Sequence, residues 1–198
     1  MTMHPFLTTY HQTTVPKLKE QKKYVSEFAV PRVTKVSVNA GLGDYVGNTK
    51  AIEDISKLIA TISGQKPVPT KARKAISGFK IREGMVIGLK ATLRDQRMHD
   101  FLYKLIQVTL PRTRDFRGLV PTGVTADGNL NIGIRDCTIF PEASQGEGSY
   151  GLQVTVVSTA RTLEEATSLY RSLGFIFQKE DEVVAKKPRS KNRTYKRS

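Results

Sequence analysis

"FKIREGMVIGLKATLR", residues 79–94, alternates twice around a turn. Phe79 and Ile81 fall on one side and Lys80 and Arg82 on the other, then Glu83, Gly84 and Met85 reverse the chain. Beyond them Ile87, Leu89, Ala91 and Leu93 share a side opposite Lys90, Thr92 and Arg94. A period of two with one apolar and one cationic side predicts a β-hairpin with one wet face. Helices can then cover only the other side of the sheet, so the class is decided here: α+β.

Working outward, "RVTKVSVNA" (residues 32–40) repeats the pattern. Thr34, Val36, Val38 and Ala40 oppose Lys35, Ser37 and Asn39. "GNLNIGIRD" and "GLQVTVVSTA" supply two more strands, with Asn129, Asn131, Arg135 and Thr155 on their polar sides. Between strands lie helical repeats. Ile52, Ile55, Ile59 and Ile62 follow Asn48 as cap and end at Gly64; Met98, Phe101, Leu102, Leu105 and Ile106 stop at Pro111; Leu163, Ala166, Leu169, Tyr170 and Leu173 start from a Thr162/Glu165 capping box. A weaker helical pattern in Leu18, Val25 and Phe28 spans residues 17–28. The predicted order is α-β-α-β-β-α-β-β-α: an antiparallel sheet with helices on one face, an open polar RNA-binding face, and a ferredoxin-like arrangement. Residues 1–16 read as a polar lead-in, 17–179 as one domain, and 180–198 as a basic, disordered tail.

Charge sets the partner. The chain of 198 residues carries 32 Lys and Arg against 18 Asp and Glu, a net +14. Residues 66–94 hold eight cations and one anion, and residues 186–198 hold seven cations and none, so these two segments account for the whole excess. Like charge packed that densely weakens a free fold and calls for a polyanion, and neither segment is an amphipathic helix suited to a lipid surface. Lys35, Lys90 and Arg94 on the wet face, with Lys66 and Lys71 beside it, are the cations expected on a folded RNA. The wet face has no aromatic pair for stacking bases, so shape and phosphate–sugar contacts are the expected mode. Phe79 can stack on a base or serve as core.

Enzyme readings fail on spacing. The glycines of "GLGDYVG" stand at 41, 43 and 47, one residue too wide for a dinucleotide turn. The lone Cys137 lacks a nucleophile signature, and His4, His11 and His99 lack metal-ligand spacing. No cofactor and no small-molecule substrate are implied, and no apolar run is long enough to span a membrane. A free-standing RNA chaperone with the same basic surface is the competing non-enzymatic reading.

The series "ISGQKPVPTKARKAISGFKIREGMVIGLKATLR" (62–94), "RTRDFRGL" (112–119), "IRDCTIFPE" (134–142) and "VTVVSTARTLEEATSLYRSLGFIF" (154–177) closely resembles the bacterial-type family of large-subunit ribosomal proteins that bind 5S ribosomal RNA. The resemblance implies a non-enzymatic, cytoplasmic role on the ribosome. It implies attachment of 5S rRNA in the central protuberance, contact with P-site tRNA, and an intersubunit bridge to a small-subunit head protein, with 23S-type rRNA as a further partner. It places Asn39, Gln65, Thr70 and Thr92 on 5S rRNA, and Lys74, Ser77, Gly78, Phe79, Lys80 and Arg82 on tRNA. The segment "PEASQGEGSYG" (141–151), where the bridge would lie, departs from the family pattern, and the tail runs past the family's usual end.

Overall fold

The computed structural model describes residues 4–79, 81–143 and 150–178. Its centre is a five-stranded antiparallel sheet in the order β2-β3-β1-β5-β4. The strands are β1 (Val33–Gly41), β2 (Val68–Lys71), β3 (Val86–Leu93), β4 (Leu130–Ile134) and β5 (Leu152–Ser158). A helix, α3 (Thr49–Ser63), connects β1 to β2, yet β3 lies between those two strands. A second helix, α4 (Asp95–Lys104), leads out of β3. This split βαβ placement is the ferredoxin-like arrangement, with β4 added beyond β5.

Register sorts the side chains. Val36, Val38 and Ala40 of β1 stand opposite Leu93, Ala91 and Leu89 of β3, while Val36 and Val38 face Val156 and Val154 of β5. Leu130, Ile132 and Ile134 continue these rows into β4. All are buried, and they form one core with Ile55, Ile59 and Ile62 of α3, Met98, Phe101 and Leu102 of α4, and Ala166, Leu169 and Tyr170 of α6 (Leu163–Ser172). Two helix caps follow the sequence. Asn48 Oδ1 accepts from Ala51 N–H at 3.2 Å, and Thr162 Oγ1 accepts from Glu165 N–H at 3.3 Å. Tyr170 ties α6 to the sheet: its hydroxyl lies 2.9 Å from the Gly128 carbonyl and 3.1 Å from that of Val156. Burial pushes this phenol up to about 12.

Several expectations need correction. The hairpin around 79–94 has different arms. Its first strand is β2, and residues 72–85 form a long loop closed by Ala72 N–H to Met85 O at 2.8 Å and Gly84 N–H to Ala72 O at 3.0 Å. Phe79 belongs to a short 3-10 turn, Ser77–Phe79, bracketed by an Ile76–Ile81 bridge. Phe79 and Ile76 are exposed because this loop projects beyond the sheet, where alternation has nothing to bury against. At the N-terminus, residues 5–22 are helical throughout: α1 (Pro5–Thr9), a π-helical turn at Tyr10–Thr14, and α2 (Val15–Lys22). Phe6, Val15 and Leu18 enter the core, and Thr14 Oγ1 donates to Ser172 O of α6 at 3.3 Å. The helix ends at Lys23 in the left-handed region, φ 52°; Val25 and Phe28, expected on its apolar side, are 99% and 98% exposed. Leu163, expected in the α6 stripe, is also exposed. The α4 run reaches Pro111 through a π-helical turn, Leu105–Thr109, and ends in α5 (Leu110–Arg112), one residue past the expected stop. Each π turn leads into a proline, Pro16 or Pro111, whose missing N–H and ring volume a widened turn accommodates.

Gly88 sits where β3 is held between β1 and β2. A Cβ there would lie 2.8 Å from Thr70 Oγ1 and 3.1 Å from the Ala40 carbonyl. We expect Gly88→Ala to destabilise the fold by roughly 1–3 kcal/mol, the usual cost of overpacking. Urea denaturation checks this, and an unchanged midpoint would show that β2 yields freely.

Candidate nucleic-acid interface

The second face of the sheet is built from the residues that register leaves over. One row runs Val68, Lys90, Asn39, Gln153, Gly133 across all five strands. The next runs Thr92, Ser37, Thr155, Asn131, and Lys35 stands opposite Val157 beyond it. Lys90 and Gln153 are exposed, while Asn39, Thr92, Ser37 and Lys35 are half-buried, which residues beneath a helical layer would not be. Adjacent strands lie about 4.8 Å apart, so each row is a closely spaced line of ammonium, amide and hydroxyl groups. Thr155 Oγ1 and Asn131 Oδ1 are already joined at 2.8 Å.

At the α4 edge of this face the chain forms a cleft of about 600 Å³ that brings together Gln65, Thr92, Arg94 and Arg97. Gln65 follows the left-handed Gly64 that ends α3, and its Oε1 lies 3.5 Å from Arg97 Nη1. Thr70 and Lys71 are exposed on β2, Lys66 is exposed just before it, and the ladder slips by a residue between Thr70 and Lys71. Of the residues singled out for rRNA, Lys35, Asn39, Gln65, Thr70, Lys90, Thr92 and Arg94 therefore share one surface or its rim. Lys74, Ser77, Gly78, Phe79 and Arg82 instead occupy the exposed 72–85 loop. No atom comes within 4 Å of a Cβ built on Gly78, so backbone there is open to close approach. Lys80, residues 144–149 of the 141–151 segment and the 179–198 tail lie outside the described residues.

Sequence reasoning missed Gln153. It shares parity with Thr155, and its register against Asn39 puts it at the centre of the polar row. Asn129, expected on that face, instead has a buried Oδ1 without a hydrogen-bond partner.

Electrostatics separate the two sides of the molecule. Among the described residues the ion pairs join Lys19 to Glu27, Lys22 to Glu164, Lys57 to Asp54, Lys104 to Glu142 and His4 to Asp100. All involve helices or their flanking segments; none uses Lys35, Lys66, Lys71, Lys74, Arg82, Lys90 or Arg94. The strongest is half-buried: Lys104 Nζ donates to Glu142 at 2.6 Å and to Ile62 O at 2.8 Å. Burial alone would raise the Glu142 carboxyl, but the Lys104 bond outweighs it and holds the group below its ordinary value. The sheet face thus keeps its cations uncompensated and offers donors without aromatic platforms. That combination suits phosphate and ribose oxygens of a folded RNA better than stacked single-strand bases.

Cys137 is fully buried, and burial pushes its thiol up, away from the reactive thiolate. No metal-ligating cluster occurs among the described residues.

Residues 26–82 match the family model for ribosomal protein L5, and residues 86–177 match that for the ribosomal L5P family C-terminus. A large ribosomal subunit protein uL5 of Gloeothece citriformis is 48% identical over 87% of this chain and 97% of its own length. The uL5 of Halothermothrix orenii is 49% identical over 85% of this chain and 95% of its own, and that of Desulfatibacillum aliphaticivorans 46% over 89% and 100%. With both family segments matched in order and near-complete relatives at this identity, the chain belongs to the ribosomal protein L5 family of the large ribosomal subunit.

Proposed function

We propose that this chain anchors 5S rRNA to the large subunit through the open face of its sheet. The observation that carries the reading is the pair of polar rows centred on Asn39–Lys90–Gln153 and Ser37–Thr92–Thr155, rimmed by unpaired cations. Asn39, Gln65, Thr70 and Thr92 supply neutral hydrogen bonds that fix orientation. Lys35, Lys66, Lys71, Lys90 and Arg94 supply phosphate attraction. The 72–85 loop, with Lys74, Ser77, Gly78, Phe79, Lys80 and Arg82, is the reading's contact with P-site tRNA, and segment 141–151 its contact with a small-subunit head protein; 23S-type rRNA is a further neighbour. Two RNAs meeting at residues 66–94 would neutralise the charge that this stretch concentrates. A free RNA chaperone is the rival. Stoichiometric retention on salt-washed large subunits favours the anchoring role, and release favours the rival.

Asn39→Ala together with Thr92→Ala should weaken 5S rRNA binding by about tenfold or more, the usual scale for losing hydrogen bonds to a charged backbone. Filter binding with unchanged far-UV circular dichroism reads this out, and full affinity in the double variant contradicts the site. The loop is expected to act separately. Lys74→Glu with Arg82→Glu should leave 5S affinity within about threefold, a modest loss of long-range attraction, while tRNA crosslinking on reconstituted ribosomes falls. An unaltered tRNA crosslink would remove the loop from the tRNA contact.

A further inference from the structure

The two edges of the sheet are finished differently. At one edge, β2 is short, wholly exposed, broken by a register slip, and carries Pro69 and Lys71. Proline, lysine and bulges are the devices that keep an edge strand from pairing with another chain. At the other edge β4 reads "LNIGI", with no proline, no charge and no slip against β5. Its first two residues are covered: Val124 bridges Leu130, Thr125 N–H donates to Asn129 O at 2.8 Å, and Gly123 packs against the Asn131 carbonyl, which leaves the Gly133 end open. The Asn131 carbonyl points outward, since a Cβ built on Gly123 would come within 2.9 Å of that oxygen. In an extended strand every second residue turns its N–H and C=O to the same side, so Gly133 presents its pair outward too. No atom lies within 4 Å of a Cβ built on Gly133.

This open length borders a groove of about 890 Å³ between β4 and residues 110–123. The far wall is pinned in place. Leu119 N–H donates to Ile176 O at 2.7 Å, and Leu119 O accepts from Gln178 N–H at 2.9 Å. Phe116, Leu119 and Val120 give the groove apolar lining, and Arg112, Arg114 and Arg135 stand along it. None of the ion pairs given for the described residues involves these guanidiniums, and the groove's lining holds three arginines against Asp115 and Asp136.

We infer that the β4 edge is a docking site for an extended segment of a partner protein, added as a sixth strand, with acidic and apolar side chains alternating along it. Main-chain bonds to Gly133 and its neighbours supply affinity, and alternate side chains meet the arginines and the apolar wall. A peptide fits better than RNA because outward strand N–H and C=O groups pair with another backbone. The site lies at the opposite edge of the sheet from β2 and does not depend on the RNA reading.

The test uses the full chain and a fluorescein-labelled Val-Glu-Val-Glu-Val-Glu-Val peptide, followed by fluorescence anisotropy. Saturable binding is expected. Replacing Glu by Lys in the peptide, N-methylating alternate peptide amides, or introducing Arg112→Glu with Arg135→Glu should each weaken it about tenfold or more. Lys66→Glu with Lys71→Glu should leave it unchanged, which separates docking from general attraction to a basic protein. The inference is overturned if the peptide fails to bind, if the N-methylated peptide binds equally well, or if the Lys66/Lys71 variant loses binding instead. Binding of an oligouridylate that depends on Arg112 and Arg135, with no binding of the peptide, would likewise overturn it by assigning the groove to RNA.

Discussion

Strand β1 is hydrogen-bonded on both edges, to β3 and to β5, and everything else is arranged by that double pairing. A slip of one residue would turn Val36, Val38 and Ala40 to solvent and Lys35, Ser37 and Asn39 into the core. Burying two valines and an alanine is worth a few kcal/mol, and burying an unpaired ammonium costs more than that. Register is therefore locked, and with it the composition of the opposite face. Helices α3, α4 and α6 add apolar stripes to one side only, so the polar rows across β3, β1 and β5 stay open as a consequence of how the core is made.

That one-sidedness has an electrostatic cost in the free protein. Among the described residues Glu27, Glu164, Asp54 and Glu142 pair with lysines on the helical side, and no ion pair reaches the cations of the sheet face or the 72–85 loop. Self-repulsion there opposes compaction, and a bound polyanion would relieve it. The same reasoning explains why the surface offers amides and hydroxyls between its cations: charge attracts any nucleic acid, while Asn39, Gln153 and Thr92 can demand a particular placement of phosphate and ribose oxygens.

Much of this was legible in the alternation of residues 33–40, 86–93 and 130–134, because period-two patterns report burial directly. The class, the sheet's wet side and the helix caps at Asn48 and Thr162 follow from local chemistry. What was not legible depends on where the sheet ends. Phe79 and Ile81 alternate as well as Leu89 and Ala91 do, but the first pair lies past the sheet's border and the second inside it. The polar residues 1–16 read as a lead-in, yet residues 5–22 form helix because Phe6, Val15 and Leu18 have a core to enter. Gln153 carried no motif of its own, and only pairing with Asn39 gives it meaning.

Lysine acetylation rates, measured by mass spectrometry on the free chain and on its complex with 5S rRNA, test the open polar face most directly. RNA covering that face should slow modification of Lys35, Lys66, Lys71 and Lys90 while Lys19 and Lys57 on the helical side react as before. Protection of Lys19 and Lys57 with Lys35 and Lys90 left reactive would contradict it.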